Sequence, residues 1–227
     1  MYTPPRFQPD RAAMLGFAAA RGFGTVCGWD GGKPIGAAVP FVIEFSSDGT
    51  PLLTFHVARQ NPLTRLGDGR TPWLMAVNGA DAYVSADWYA SPEQVPTWLY
   101  QSVHLSGPAA LMSDRELDQH LDAVTEAFES SLAPKPPWRF AKMAAGRREA
   151  MKQAIMGVMM RVDEVEGSFK LNQHKSDADH LAVTTALARR EDCSAQHVAA
   201  QMRAMRPQLF TQTNPTTDAA MAAGESR

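Results

Sequence analysis

The sequence predicts a mainly β protein, an antiparallel barrel with flanking helices and further helices at its C-terminal end. Residues 23–112 contain six short runs of β-branched, aromatic and other apolar residues, separated by turn-forming residues. Several strands at such short spacing are typical of an antiparallel barrel. From Ser113 onward the apolar residues instead recur at the spacing of a helix. The chain of 227 residues is long enough to bury a substantial core.

The predicted strands occupy residues 23–29, 35–45, 51–57, 72–78, 81–85 and 97–112. Hairpin-type turns are expected at Asp30-Gly31-Gly32 and Ser47-Asp48-Gly49, because Asp and Gly tolerate the backbone conformations that such turns need. Gly79-Ala80-Asp81 is expected to be a tight connection between two strands.

The first helix is predicted over residues 114–130. Ser113 and Glu116 have the spacing of a capping box. Four apolar residues then fall on one helical face, namely Leu117, Leu121, Val124 and Phe128. The prolines of the APKPPW segment end this helix, since proline cannot continue a helical hydrogen-bond pattern.

The remainder of the chain is predicted to contain a helix starting near Arg147, a late strand over 157–165 and two short helices. Those helices are expected at 177–190, capped by Ser176 with Asp179, and at 195–205, capped by Ser194. The late strand would join the earlier barrel, which favours a single domain over residues 1–206. Residues 207–227 contain too few apolar side chains to repay the entropy of ordering, so a disordered tail is expected there.

Composition excludes several classes of protein. Lys and Arg number 22 against 24 Asp and Glu, so the net charge of −2 gives no global attraction to nucleic acid or anionic lipid. The most apolar stretch, residues 35–43, is interrupted by Pro40 and too short for a membrane span, and a cytoplasmic location is expected. Cys27 and Cys193 cannot form a disulfide framework, and the histidines lack metal-ligand spacing, so no metal site is expected.

The segment from His56 to Pro62 is a candidate anion site. It follows the predicted strand at 51–57, with Asn61 as a helix cap and Pro62 at the first helical position. A helix N-terminus favours phosphate, and Arg59 could hold two phosphate oxygens. The alternative is an ordinary capped turn with a surface arginine.

Two further segments could contribute to a binding site. Residues 83–104 contain Trp88 and Trp98 together with three tyrosines, which suit a planar heterocycle or, alternatively, a barrel core and subunit interface. Residues 170–179 place two lysines and several amides just before a helix. This second corner could face an anion or be a solvated polar loop.

Six motifs, in order, carry a resemblance: MYTPPRF, VPFVIEF, HVARQNPLTRL, DAYVSADWY, VPTWLYQSVHLSG and FKLNQHKSDAD. Over residues 1–190 the chain resembles the PaiB family of FMN-binding negative transcriptional regulators. The resemblance implies a six-stranded flavin-binding split barrel, similar to pyridoxamine-phosphate-oxidase proteins, in which two chains pair and the flavin lies at their interface. It also implies that basic and hydroxyl residues following a barrel strand hold the phosphate.

The resemblance and the segments above give ten expected FMN-binding residues, with no catalytic residue assigned. They are His56, Arg59, Asn61, Trp88, Tyr89, Thr97, Trp98, Tyr100, Lys170 and Gln173. The chain departs from the family pattern at Asp87, at Leu99, where the family has an amide, and at Gln60. If Asp87 or Leu99 touches the cofactor, flavin affinity would change.

Three functions follow as hypotheses. The first is an FMN-binding homodimeric transcriptional regulator, and the second an FMN-dependent oxidoreductase with His104 or Tyr100 as the candidate acid–base residue. The third is a haem-binding degradative split barrel with a histidine as axial ligand. DNA contact would need a local basic patch. The densest group of basic residues comprises Arg139, Lys142, Arg147, Arg148 and Lys152. The alternative is that these residues form a solvated helix face.

Overall fold

Seven strands form the sheet of the computed structural model, which describes residues 1–144 and 146–211. They are β1 (Phe23–Trp29), β2 (Pro34–Phe45), β3 (Pro51–Ala58), β4 (Asp68–Val84), β5 (Thr97–Leu111), β6 (Ile155–Arg161) and β7 (Glu164–Lys170). The strand order is β4-β1-β2-β3-β6-β5-β7, and a further pairing of β4 with β5 closes six of them into a ring. The β1–β2, β1–β4, β2–β3, β3–β6 and β5–β6 pairs are antiparallel. The antiparallel barrel predicted from the sequence is therefore confirmed.

Two strand predictions were wrong. The separate strands expected at 72–78 and 81–85 are one continuous strand, β4, so no tight connection occurs at residues 79–81. A glycine fits at position 79 of this strand, because a Cβ there would lie only 3.0 Å from the Phe17 ring. The single late strand expected at 157–165 is instead two strands, β6 and β7. They separate at Asp163, whose N–H donates to the Ser106 carbonyl at 2.9 Å.

The described helices are α1 (Arg11–Arg21), α2 (Asp114–Ser130), α3 (Arg147–Lys152), α4 (Asp177–Ala188) and α5 (Cys193–Met205). The Ser113–Glu116 capping box of α2 and the Ser176 cap of α4 are confirmed. Helix α1 was not predicted, although Asp10 caps its start by accepting the Ala13 N–H. The cap of α5 is Asp192, which accepts the N–H of Ser194, and not Ser194 itself.

Alternation along β3 places its residues on two different faces. Leu53, Phe55 and Val57 belong to the barrel core and are at most 4% exposed. Thr54 and His56 point to the opposite face, as the two-residue period of a strand requires. The outer face of β3 therefore carries polar side chains.

The described residues group into two compact units. The first contains Met1–Gly79 and Gln101–Phe169, and the second contains Ala80–Tyr100 and the described chain from Lys170 onward. Each has its own hydrophobic core. The single domain over 1–206 stays a prediction.

At the start of the tail predicted from residue 207, Pro207–Phe210 forms a short 3-10 helix. The rest of the predicted tail, residues 212–227, lies outside the described residues. Among the helices of residues 1–144 and 146–211, none has the length and apolar character that crossing a membrane requires.

Candidate functional site

A cavity of about 480 Å³ lies on the outer face of the barrel in the first unit. Its lining comes from β3, α2, the chain that precedes α3, α3 itself and the start of β6. The lining residues are His56, Leu121, Trp138, Phe140, Met143, Arg147, Arg148, Met151, Lys152 and Ile155. Small-molecule sites in proteins commonly have volumes of about 300–1,000 Å³, so the cavity has the size of such a site.

An aromatic and apolar wall forms one side of this cavity. Trp138 and Phe140 meet edge to face, with ring centroids 5.0 Å apart. The apolar part of the wall is completed by the side chains of Met143, Met151 and Ile155. Such a wall suits a flat heterocycle. The sequence interpretation missed it because the proline-rich segment was treated only as a helix break, although the W-x-F pattern after the prolines was a visible signal.

The cavity also contains three cations, two of which are neutralised locally. The Lys152 Nζ donates to Asp118 at 2.7 Å and pairs with Glu149 at 3.3 Å. Arg148 pairs with Asp118 and Asp122 at 3.2 and 3.1 Å. Arg147 has no ion pair within the described residues and is exposed. The positive charge open to an anionic ligand is therefore that of Arg147.

These ion pairs change the interpretation of the basic cluster as a DNA-binding patch. Arg139 pairs with Glu126 at 3.0 Å, so three of the five cations in the cluster have carboxylate partners. The Arg148 guanidinium also lies 4.2 Å from the centroid of the Phe140 ring, in a cation–π contact. Much of the cluster therefore builds the cavity wall and is not a free basic face.

Behind the cavity, His56, His120 and Thr54 form a hydrogen-bonded row. The His56 Nδ1 lies 3.0 Å from the His120 Nε2, and the His120 Nδ1 lies 3.1 Å from the Thr54 Oγ1. His120 is only 3% exposed and lies on the buried face of α2. Its spacing of three residues from Leu117 and four from Val124 could have placed it on the buried face.

Burial keeps both imidazoles neutral at pH 7. It lowers the pKa of His56 below the usual 6.5. It also lowers the pKa of His120 to about 4, with a smaller contribution from the neighbouring His56. The histidine that lines the cavity, His56, is therefore uncharged, and its tautomer decides which ring nitrogen donates a hydrogen bond.

Arg59 has a structural role that its sequence did not reveal. Its Nε donates to the Gln153 carbonyl at 2.6 Å and its Nη2 to the Ile155 carbonyl at 3.1 Å. Its backbone N–H donates to the Ala154 carbonyl at 2.8 Å. Arg59 thus anchors the end of β3 to the chain between α3 and β6, which leads into the cavity at Ile155.

The predicted cap at Asn61 is present, but the helix that follows is a five-residue 3-10 helix, Pro62–Leu66. The Leu63 N–H donates to the Asn61 side chain and the Thr64 N–H to the Asn61 carbonyl, both at 3.0 Å. Pro62 has no N–H, and the N–H groups of Leu63 and Thr64 already donate to Asn61. The start of this helix therefore does not offer these donors to an anion, whereas the sequence interpretation assumed that it does.

The other seven predicted site residues lie in the second unit, where two polar pairs form. The Lys170 Nζ donates to the Thr97 Oγ1. The Tyr89 hydroxyl donates to the Asn172 side-chain oxygen at 3.4 Å, while the Lys175 Nζ lies 5.0 Å from the centroid of the Tyr89 ring. The FKLNQHKSDAD motif therefore supports an aromatic residue of the DAYVSADWY motif.

The remaining residues of this unit divide between its core and its surface. Trp88 packs against the core, Tyr100 is half-buried, and Trp98 is 53% exposed. The side-chain oxygen of Gln173 accepts the Leu171 N–H at 2.8 Å.

The two main departures from the family pattern also lie in the second unit. Leu99 is fully buried in its core, so the leucine fills an apolar interior in place of the family's amide. Asp87 is exposed at a 3-10 turn, where its N–H donates to the Ser85 hydroxyl at 3.3 Å.

Comparison with known proteins agrees with this fold. Residues 1–164 match the model of a family described as "Putative FMN-binding domain". The chain is 30% identical to Protease synthase and sporulation protein PAI 2 of Bacillus subtilis, over 89% of this chain and 96% of that protein. It is 25% identical to an uncharacterized protein of Emericella nidulans, over 64% of this chain and 71% of that protein.

A solved structure described as the FAD and heme binding protein from Mycobacterium smegmatis shares the fold. Its TM-score is 0.54 at 20% identity, over 72% of this chain and 73% of that chain. The matched family region contains the complete cavity lining, from His56 to Ile155. The barrel and the family match over residues 1–164 together establish that this chain belongs to the FMN-binding domain family.

Proposed function

We propose that this chain is an FMN-binding regulatory protein whose flavin occupies the cavity beside β3. The observation that carries the proposal is the combination, in one cavity, of an aromatic wall and an arginine, Arg147, that has no carboxylate partner among the described residues. FMN needs both, because it joins an apolar planar ring system to a phosphate dianion. All lining residues also fall within the stretch that matches the FMN-binding family.

The cavity residues divide into groups that fit the parts of FMN. Trp138, Phe140 and Met143 supply surface for the ring system, and Arg147 supplies charge and a two-pronged donor for the phosphate. His56 adds a polar contact at the outer face of β3. When bound, FMN supplies reversible electron transfer, and the protein supplies position and electrostatics.

Replacing Arg147 by alanine should weaken FMN binding roughly ten- to a hundredfold, since a charge-assisted contact contributes about 1.5–3 kcal/mol. Riboflavin, which lacks the phosphate, should bind the variant as well as it binds the wild type. Fluorescence titration with both flavins measures the two affinities. Arg115→Ala is the matched control, because Arg115 is an exposed arginine of α2 outside the cavity. Equal losses for FMN and riboflavin, or no loss at all, would contradict a phosphate contact at Arg147.

PAI 2, matched over 96% of its length, is named for protease synthesis and sporulation, and together with the resemblance to PaiB-type regulators this relationship supports a regulatory role. With a net charge of −2 and three of the five clustered cations paired, any direct DNA binding should be weak and strongly salt-dependent. Fluorescence anisotropy with duplex DNA at two salt concentrations tests this. Tight binding that hardly responds to salt would show a reading element outside the cluster.

An FMN-dependent oxidoreductase is the second candidate, because His56 brings a neutral imidazole to the cavity and could exchange a proton there. Oxidation of a nicotinamide donor by the flavin-loaded protein would favour this candidate. A flavin that stays oxidised in the presence of nicotinamide donors would favour the regulatory role.

We also propose that two copies of the chain pair through the second unit. Trp98 and Tyr83 are 53% and 44% exposed there, and their rings meet edge to face at 5.9 Å. Exposed aromatic pairs of this kind are typical of interaction surfaces. Sedimentation at micromolar concentration should show a dimer, and Trp98→Ser should shift it toward the monomer. A monomeric wild type would refute the pairing.

A further inference from the structure

A row of three polar side chains connects the interior beneath α2 with the cavity. Thr54 on β3 and His120 on α2 are both 3% exposed, and His56 lines the cavity. The two distances along the row, 3.1 Å from Thr54 to His120 and 3.0 Å from His120 to His56, are those of ordinary hydrogen bonds. The protons of this row can therefore be assigned from its buried end.

The Thr54 hydroxyl determines the direction of the row. Within the described residues, the His120 Nδ1 is the one hydrogen-bond partner of this hydroxyl. A buried O–H donor without an acceptor is costly, so the hydroxyl must donate to that nitrogen. The neutral His120 then carries its proton on Nε2 and donates it to the His56 Nδ1. His56 in turn carries its proton on Nε2, the nitrogen left for the cavity.

We propose that Thr54 and His120 are positioning residues that hold His56 as an Nε2–H donor toward the ligand. The site would then select a ligand with an acceptor atom at this place, such as a carbonyl oxygen or an unprotonated ring nitrogen. The flavin ring system offers both. The identity of the ligand rests on the proposed function, whereas the assignment of the protons does not.

The charges around His56 favour the same state. Arg147, Arg148 and Lys152 line the cavity together with His56, and the carboxylates that pair with these cations are Asp118, Asp122 and Glu149. Because those carboxylates are held by cations, they are not available to stabilise a protonated His56. A neutral donor is therefore the form that His56 presents to the cavity.

Two-bond ¹⁵N–¹H correlation spectra of the flavin-free protein at pH 7 test the assignment directly. Both His56 and His120 should show a protonated Nε2 and an unprotonated Nδ1. A protonated Nδ1 on His56, or protons on both of its nitrogens, would overturn the proposal.

Thr54→Val removes the donating hydroxyl at nearly constant shape, and Thr54→Ser keeps it. In the valine variant the two histidines should lose their fixed tautomer, and FMN affinity should fall roughly fivefold, the effect of one misdirected hydrogen bond. The serine variant should behave as the wild type does. Unchanged tautomers of His56 and His120 in Thr54→Val would overturn the positioning role of Thr54, even if FMN binds. If both histidines of the wild type carry their proton on Nε2 but the protein binds no flavin, the proposed function is refuted and the proton assignment of the row stands.

Discussion

Replacing Gly107 by alanine is expected to destabilise the protein by about 3 kcal/mol or more, a large fraction of the roughly 5–15 kcal/mol by which folded proteins are usually stable. A Cβ at this position would lie 1.9 Å from the carbonyl oxygen of Arg161 and 3.0 Å from the Asp163 nitrogen. Both are backbone atoms, and neither can move away by changing a rotamer. The turn between β6 and β7 is also fixed by the bond from the Asp163 N–H to the Ser106 carbonyl.

Urea unfolding followed by circular dichroism measures this effect. The matched control is Gly16→Ala, since a Cβ on Gly16 in α1 would meet nothing within 4 Å. Alanine there should stabilise the helix by about 0.5–1 kcal/mol. A Gly107→Ala protein as stable as the wild type would mean that β5 does not approach the β6–β7 turn as closely as the structure shows.

Acidification from pH 6.5 to 4 is expected to reduce the free energy of unfolding by up to about 3 kcal/mol through His120. Burial lowers the pKa of His120 to about 4 in the folded protein, whereas in the unfolded chain it titrates near 6.5. Between these values the unfolded state binds more protons than the folded state does. The stabilisation is therefore complete above pH 6.5 and is lost as the pH falls toward 4.

Urea midpoints at half-unit pH intervals, compared between the wild type and His120→Gln, isolate this contribution. The glutamine variant should show a shallower decline between pH 6.5 and 4, because its side chain does not titrate. His197→Gln, at an exposed position of α5, should follow the wild-type curve. Parallel curves for wild type and His120→Gln would show that His120 is not buried as a neutral imidazole.

Local chemistry made much of the fold predictable. Ser113 and Glu116 fix the start of α2 through hydrogen bonds between residues three apart, and Asn61 caps the turn after β3 by accepting the N–H of Leu63, two residues further on. Short runs of β-branched, aromatic and other apolar residues between turn residues predicted β1 to β3, and each of these strands contributes residues to the barrel core. Gly79 was read as part of a tight connection, whereas in β4 a Cβ at this position would lie close to the ring of Phe17, which is distant in the chain and not visible in the local sequence.

The candidate site was less predictable because its contacts join distant parts of the chain. The residues next to Arg59 in the sequence are those expected of an anion site. Its guanidinium nevertheless donates to the carbonyls of Gln153 and Ile155, which are 94 and 96 residues away in the chain. The positive charges of Arg148 and Lys152 were visible, but their neutralisation by Asp118 on α2 was not. Only the folded arrangement singles out Arg147 among the five clustered cations.

A crystal structure of the chain grown with FMN tests the location of the flavin most directly. We expect the ring system against Trp138 and Phe140, the phosphate on the Arg147 guanidinium and the His56 Nε2 directed at an acceptor atom of the ligand. A flavin whose phosphate is bound at Arg59 and Asn61, with the cavity beside β3 left without ligand, would contradict the account.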